Sequence, residues 1–473
     1  MIRLFLSLCL ILFSTVAAVA QQIQIVPAQV YGPWHGTLEA PGTRVTLVFR
    51  LSSSESGELA ATMDIPGQSV KGMAIPEAGL KQDSLYLRIP AGGIAFAGKL
   101  TGTGTINGSW KQSGMSFPLA LTKGEVPVVR RPQMPVPPYP YQEQEVTVEN
   151  KAAGITLAGT LSIPTGKGKH PAVILFTGSG KQDRDMTLLE HKPFLVLADH
   201  LTRQGFAVLR LDDRGAGKSG GNATMATTQD FVSDAQAAYT YLKTHQAVNL
   251  EKIGLLGISE GALIASSVAA TNKDVAFVVL MAGSAGPGVD LLVSQNEAIL
   301  KSQLQADELQ KYLKLRRAQF EVAASNTEMF EASQKIRALE QEARASLTDK
   351  DKQLAIMLSP QAENAVVAQI MTPWMRYFLA YDPAPALQQL KMPVLALNGS
   401  KDLQVPAAAN LVATEKALKA AGNKRYTIKE LPGLNHIFQT ADTGQVHEYG
   451  TIEETMAPVA LETISTWMKG VMK

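Results

Sequence analysis

A single cysteine, Cys9, occurs in the 473 residues, and it lies in the apolar stretch at the start of the chain. Beyond it no thiol is present, which excludes disulfide bridges, thiolate metal sites and thiol catalysis. Charge of one sign is also missing. The 44 basic and 42 acidic residues leave a net charge of +2, with no long run of either sign. That composition gives no electrostatic case for a nucleic acid or an anionic membrane surface as partner. No segment after residue 20 has the roughly 18 unbroken apolar residues of a membrane helix, so no stable membrane insertion is expected. No H-E-x-x-H and no clustered histidines and carboxylates suggest a metal, and no cofactor is expected.

What is present begins with an export pattern. Arg3 supplies a positive start, Leu4 to Val16 is largely apolar, and Ala18-Val19-Ala20 is an A-x-A cleavage pattern. Residues 1–20 therefore read as a signal peptide, with Gln21 first after cleavage. Cys9 comes too early to be a lipid-attachment cysteine. Export without disulfides points to the bacterial periplasm or the surrounding medium.

At this length two or three domains are expected. Residues 22–125 show a period of two, as in Val45, Leu47, Phe49 and Leu51, then Leu59, Ala61, Met63 and Ile65, then Leu85, Leu87 and Ile89, and lastly Met115, Phe117, Leu119 and Leu121. Clusters of turn residues, Asn107-Gly108 among them, separate these runs. The pattern predicts an all-β barrel or sandwich with Trp34 and Trp110 in its core. Six prolines between Pro127 and Pro140 then mark a semi-rigid linker, taken as 126–143.

From 144 to 473 buried strands alternate with helices, which argues a mostly parallel sheet covered on both faces. The strands are expected at Glu145–Glu149, Ile155–Ile163, Pro171–Phe176, Phe206–Leu211, Ile253–Leu256, Val275–Met281, Pro393–Leu397 and Tyr426–Leu431, with a last helix from Glu454 to Met472. The alternation breaks at about 286–371, where a helical insertion carries the stripe Ile336, Leu339, Ala343 and Leu347. That stripe is expected to pack between helices of the insertion.

The chemistry centres on Gly257-Ile258-Ser259-Glu260-Gly261. A buried strand precedes it and a helix follows. A serine on so tight a strand-to-helix turn needs glycine neighbours, and the turn exposes its hydroxyl. A hydroxyl attacks only when a base takes its proton, and the base needs an orienting carboxylate. His436 follows the last strand and Asp402 the one before it, in the chain order serine, aspartate, histidine. Asp212, Asp213 and Asp382 are the rival acids. Two backbone donors must meet the oxyanion. The Glu260 N–H is one candidate and the Ser179 N–H, with Gly180 close behind, the other. Gly215-Ala216-Gly217-Lys218-Ser219-Gly220 has the letters of a dinucleotide fingerprint, but no helix opens there and nucleotide binding is not expected.

With those residues assembled, the chain resembles the α/β-hydrolase superfamily, and within it exported bacterial serine esterases with a small N-terminal β domain and a helical cap. The resemblance rests on the Ser259 elbow, on Asp212 to Ser219, on Asn398-Gly399-Ser400-Lys401-Asp402 and on Leu434-Asn435-His436. The loop Gly178 to Asp185 also looks family-like, although Thr177 stands where the superfamily commonly has histidine. The resemblance implies an α/β-hydrolase fold over 144–473 with the cap at about 286–371. It also implies a Ser259–Asp402–His436 triad acting on carboxylic esters of small molecules. An aminopeptidase-like exopeptidase, an acyltransferase or a thioesterase would need the same three residues. For an aminopeptidase, Glu297 in the cap is the candidate to hold the substrate amine.

Overall fold

The structure is a computed structural model. It describes residues 28–472 except 41–42, 67–69, 103, 113–114 and 127–128. The signal-peptide reading at 1–20 lies outside the described residues. The chain divides into two compact units, the bulk of the residues up to Val126 and Pro127–Lys473.

The first unit is a nine-stranded sheet. Its strands are β1 (Gly32–Ala40), β2 (Thr43–Ser53), β3 (Leu59–Ile65), β4 (Val70–Ile75), β5 (Glu77–Lys81), β6 (Ser84–Ile89), β7 (Ile94–Leu100), β8 (Thr105–Gln112) and β9 (Met115–Lys123). They run in the order β4-β3-β2-β1-β9-β8-β7-β6-β5. Pairing is antiparallel from β2 to β4 and from β1 through β9 to β5. The two edge strands, β4 and β5, are separated in sequence only by Pro76. The sheet must therefore curl until its edges approach, which makes it barrel-like and disposes of most of its open edge. Alternate residues fill the inside, with Trp34, Phe49, Phe96 and Trp110 all buried. Phe49 lies 5.9 Å from Phe96 and 6.3 Å from Trp110, centroid to centroid.

Asn107-Gly108, expected to separate strands, lies inside β8. Gly108 pairs with Gly98 across the sheet, and a Cβ on it would lie 2.6 Å from Gly98 Cα and 2.7 Å from the Phe96 ring. The glycine serves close packing under an aromatic ring rather than a turn.

The second unit has β10 (Tyr141–Asn150), β11 (Ile155–Pro164), β12 (His170–Phe176), β13 (Ala207–Leu211), β14 (Val248–Ile258), β15 (Phe277–Met281), β16 (Val394–Gly399) and β17 (Tyr426–Leu431). The order is β10-β11-β13-β12-β14-β15-β16-β17. The β10–β11 hairpin joins antiparallel, and β13 to β17 are mutually parallel. Helices α1 (Pro193–Arg203), α2 (Thr228–Leu242) and α3 (Glu260–Thr271) cover the first half. After β15 come α4 (Gly288–Leu300), α5 (Ala306–Ala324), α6 (Met329–Ala345), α7 (Lys352–Met357), α8 (Pro360–Ile370), α9 (Pro373–Ala380) and α10 (Ala384–Leu387). The sheet is completed under α11 (Ala407–Ala420) and α12 (Pro458–Val471).

Both faces of the central strands are buried. Val173 and Leu175 pack on α1 and α12, while Ala172 and Ile174 pack on the α2 and α3 side. That explains continuous apolar runs without alternation. This is the α/β-hydrolase fold, with the cap inserted between β15 and β16. The cap runs past residue 371, because α9 still belongs to it. Its stripe packs between cap helices: Ile336 enters one core with Phe320 and Phe378, and Leu339, Ala343 and Leu347 lie against a second with Leu309 and Leu354. The last helix starts at Pro458 rather than Glu454, since proline suits a first turn and the preceding residues form loop contacts instead.

If Gly108 is packed as described, Gly108→Ala overfills the β unit by about 1–3 kcal/mol. Its thermal transition in the full chain should drop by roughly 4–8 °C for each kcal/mol. Calorimetry of the variant beside wild type measures this, and an unchanged transition would place residue 108 in a tolerant turn.

Candidate active site

Ser259 joins β14 to α3 with φ 56° and ψ −121°, a conformation that a residue with a side chain rarely adopts. Its neighbours show why the turn holds. A Cβ on Gly257 would overlap the carbonyl of Gly261, and one on Gly261 would overlap the carbonyl of Phe176. Both glycines are therefore obligatory, because backbone lies where a side chain would go. The Ser259 N–H donates to Met281 O at 2.8 Å, which ties the turn to the next strand.

The sheet places the other candidates along the same edge. Ile258 pairs with Met281, Met281 with Leu397 and Gly399 with Leu431, so β14 to β17 end almost level. Asp402 follows β16, and His436 follows β17. The structure brings these two together: His436 Nδ1 lies 2.9 and 3.0 Å from the two Asp402 carboxylate oxygens, with both side chains buried. The carboxylate is further held by the Gln404 and Val405 N–H groups, each 2.9 Å from Oδ1, and by Asn398 Nδ2, 3.2 Å from Oδ2. With the carboxyl oxygens as acceptors, this pairing suits the tautomer that carries its proton on Nδ1, which would leave Nε2 open on the other side of the ring. Among the described residues Ser259 Oγ makes no hydrogen bond, to His436 or to any other group.

The rival acids have other work. Asp212 takes a bidentate Arg184 at 2.9 and 3.0 Å and the Lys218 N–H at 3.1 Å, and Ser219 Oγ donates to its carbonyl. The glycine loop 215–220 is thus wrapped on Asp212, which accounts for its letters without a phosphate. Asp382 accepts the Ala384 N–H at 2.9 Å, as at a helix start.

Asp213 holds the loop that contains Ser179. Thr177 Oγ1 donates to it at 2.9 and 3.1 Å and the Gln182 N–H at 2.9 Å. Thr177, in the usual histidine place, anchors the loop on this carboxyl group. The loop lies close to the elbow, since a Cβ on Gly178 would be 3.4 Å from Ser259 Cβ. The Glu260 N–H is the first of α3 and belongs to the amides that a helix leaves without an internal partner.

Two features escaped the sequence reading. The Glu260 side chain is buried and accepts from Thr228 Oγ1 at 2.6 Å and from the indole of Trp374 at 2.9 and 3.0 Å. Trp374 stands on α9, so the cap reaches the residue next to Ser259. The second feature is a cleft lined by Thr177, Gly178, Gly180, Asp213, Phe231 and Glu260. Burial raises the Glu260 carboxyl above its ordinary range. Burial also pushes Asp213 up to about 7, with the charges of Glu260 and Asp234 adding to the effect against the Gln182 and Thr177 bonds. A lone glutamate within the apolar run from Ile253 to Ala270 was the available signal for Glu260. Glu297 is exposed on α4.

The family of serine aminopeptidases, S33, matches this chain over residues 191–440. The chain belongs to that family. The esterase EstD of Thermotoga maritima is 30% identical over 199 residues, 42% of this chain and 45% of that protein. The uncharacterized protein PA2218 of Pseudomonas aeruginosa is 29% identical over 141 residues, 29% of this chain and 36% of that one. The chain thus spans less than half the length of the curated relatives it matches. The crystal structure of PA2218 superposes with a TM-score of 0.41 at 18% identity, over 72% of this chain and 96% of that one. The Pyrococcus furiosus esterase Pf2001 gives a TM-score of 0.43 at 15% identity, over 70% and 91%.

The raised Asp213 value has a consequence for stability. Between its ordinary value of 3.8 and about 7 the unfolded chain ionises this group while the folded protein keeps it protonated. Stability is therefore lost as pH rises through that window and levels off above it. Asp213→Asn should reduce the fall in Tm between pH 5 and pH 8. Equal falls in variant and wild type, measured by thermal melts, would assign Asp213 an ordinary pKa.

Proposed function

We propose that the protein is an exported serine hydrolase that cleaves carboxylic esters with small to medium acyl chains. The observation that carries this reading is the buried pair of His436 Nδ1 and Asp402 at 2.9 and 3.0 Å, on the same sheet edge as the Ser259 elbow. In this reading Ser259 Oγ attacks the ester carbonyl carbon while His436 Nε2 takes the hydroxyl proton. Asp402 holds the imidazole and balances its charge. The carbonyl oxygen becomes an oxyanion facing the Glu260 and Ser179 N–H groups. Collapse expels the alcohol, which takes the proton from His436. Water, deprotonated by the same nitrogen, then releases the acid and restores Ser259. Export rests on Arg3, the apolar stretch after it and Ala18-Val19-Ala20.

The family's description favours a second reading, an aminopeptidase-like exopeptidase with the same three residues. Such an enzyme needs a carboxylate for the substrate amine, and Glu297 is the cap candidate. Three things support the ester reading instead: the curated relative EstD is named an esterase, the cap is built on apolar cores, and the carboxyl groups of Glu260, next to Ser259, and of Asp213 are raised above their ordinary range.

Ser259→Ala should abolish hydrolysis while the thermal melt stays close to wild type, and a fluorophosphonate should label Ser259. Labelling of another serine would remove the nucleophile assignment. Asp402→Asn is expected to lower kcat by about 10⁴-fold, and His436→Ala by at least as much. The decisive comparison is kcat/KM for p-nitrophenyl butyrate against alanine p-nitroanilide. The ester should win clearly, and a preference for the anilide would make the exopeptidase reading correct.

A further inference from the structure

The proline-rich segment reads from the sequence as a spacer, yet two of its side chains are built into the second unit. Arg131 spreads its guanidinium over three backbone carbonyls distant in sequence: Nη2 donates to Leu189 O at 3.0 Å and Gly450 O at 2.8 Å, and Nη1 to Ile452 O at 3.0 Å as well as to the adjacent Arg130 O at 3.3 Å. Its Nε is buried without a hydrogen-bond partner. No carboxylate among the described residues forms an ion pair with it, so its direct partners are backbone carbonyls, with Glu190 and Glu453 acting on it at longer range. Two residues on, Gln133 uses both ends of its amide. Nε2 donates to Met456 O at 2.7 Å, and Oε1 accepts from the Thr455 and Met456 N–H groups at 2.6 and 3.0 Å. A spacer has no reason to make six such bonds to one stretch and its neighbour.

That stretch, 449–457, is what the histidine loop leans on. Ala457 N–H donates to Phe438 O at 2.8 Å, the Thr440 N–H to Glu454 Oε1 at 2.7 Å, and Gln439 Nε2 to Glu454 O at 2.9 Å. Gln439 in turn brackets Asn435, which precedes His436, through its own N–H at 2.9 Å and its Oε1 at 2.9 Å. The stretch also reaches the acid: Gln404 Nε2 donates to Tyr449 Oη at 3.1 Å, and the Gln404 N–H donates to Asp402. Buried His191 braces it from within, 2.9 Å from Thr455 Oγ1 and 2.8 Å from Tyr449 O.

We propose that Arg131 and Gln133 are positioning residues that clamp 449–457 and, through it, set His436 against Asp402. The effect on turnover rests on the reading of His436 as the base. The proline-rich composition suits the task, because a segment with few accessible conformations loses little entropy when it is laid down as a strap.

The test uses the full chain. Arg131→Ala/Gln133→Ala is compared with wild type and with Arg130→Ala, an exposed neighbour in the same segment. Turnover of p-nitrophenyl butyrate is normalised to active sites titrated with a fluorophosphonate, so that misfolded molecules do not count. The double variant should lose about 10- to 100-fold in kcat with little change in KM, the scale expected when a catalytic group is displaced by about 1 Å. Arg131→Lys should recover part of the loss, and Arg130→Ala should match wild type. Separately, the downfield proton resonance of an imidazole bonded to a carboxylate should weaken in the double variant. A kcat per titrated site within about twofold of wild type overturns the proposal on that same scale. If wild type hydrolyses no ester, the esterase reading has failed and the resonance alone decides: an unmoved signal overturns the clamp. Should the double variant not fold, Gln133→Ala alone, which removes three of the bonds, is judged by the same two readouts.

Discussion

Everything at the site depends on one uncomfortable stretch of backbone. Ser259 is held at φ 56° and ψ −121°, a conformation that costs on the order of 1–3 kcal/mol. It persists because the surroundings leave no alternative. Gly261 is pressed against the end of β12, Gly257 against Gly261, and the Ser259 amide is fixed to β15. Relaxing the serine would pull α3 off the strand that supports the neighbouring loop. The strain is therefore borne by the burial of six adjacent parallel strands, β13-β12-β14-β15-β16-β17, and the hydroxyl stays outside the sheet as a result.

The electrostatics near that turn follow from the same packing. Two carboxyl groups, Asp213 and Glu260, lie close to the N-terminus of α3. In the mechanism proposed above, two negative charges there would oppose the oxyanion at the Glu260 amide. Burial shifts both toward the neutral acid, and each is satisfied by hydroxyl, indole or amide donors rather than by cations. Asp402 is a different case. Three donors besides His436 converge on it, so its carboxyl oxygens are held on several sides and its orientation toward His436 is fixed. Environment thus gives acids of the same kind different work: Asp213 and Glu260 are buried anchors raised above their ordinary range, while Asp402 is paired with His436.

The parts legible in the sequence were those dictated by local chemistry. The elbow could be read because only glycine fits beside Ser259. The parallel strands could be read because burial on both faces removes alternation. The stripe from Ile336 was readable as cap packing because helical spacing needs a partner. What stayed hidden depends on distant residues. Gly108 looks like a turn glycine until Phe96 is known to lie across it. Asp213 looks like a rival of Asp402 until Thr177 and Gln182 are seen to converge on it. Arg131 and Gln133 look like linker polarity, because their partners lie up to 323 residues away in sequence.

The cap shows the same long-range dependence. It is inserted between β15 and β16, yet it is not an independent lid packed only on itself. One of its cores holds Leu263 from α3 and Val405 from the acid loop together with Phe320, Ile336 and Phe378. The Val405 N–H is also a donor to Asp402. On the other side of the elbow, Trp374 from α9 closes on Glu260. Displacing α9 would strand a buried carboxyl group without one of its donors, at a cost of about 1–3 kcal/mol. It would also uncover apolar surface shared with the acid loop. Cap, nucleophile turn and acid loop therefore share their stability. If Ser259, Asp402 and His436 act as proposed, the residues that hold them in place also shape the space beside them, and changes in acyl preference made through this core should not come free of changes in turnover.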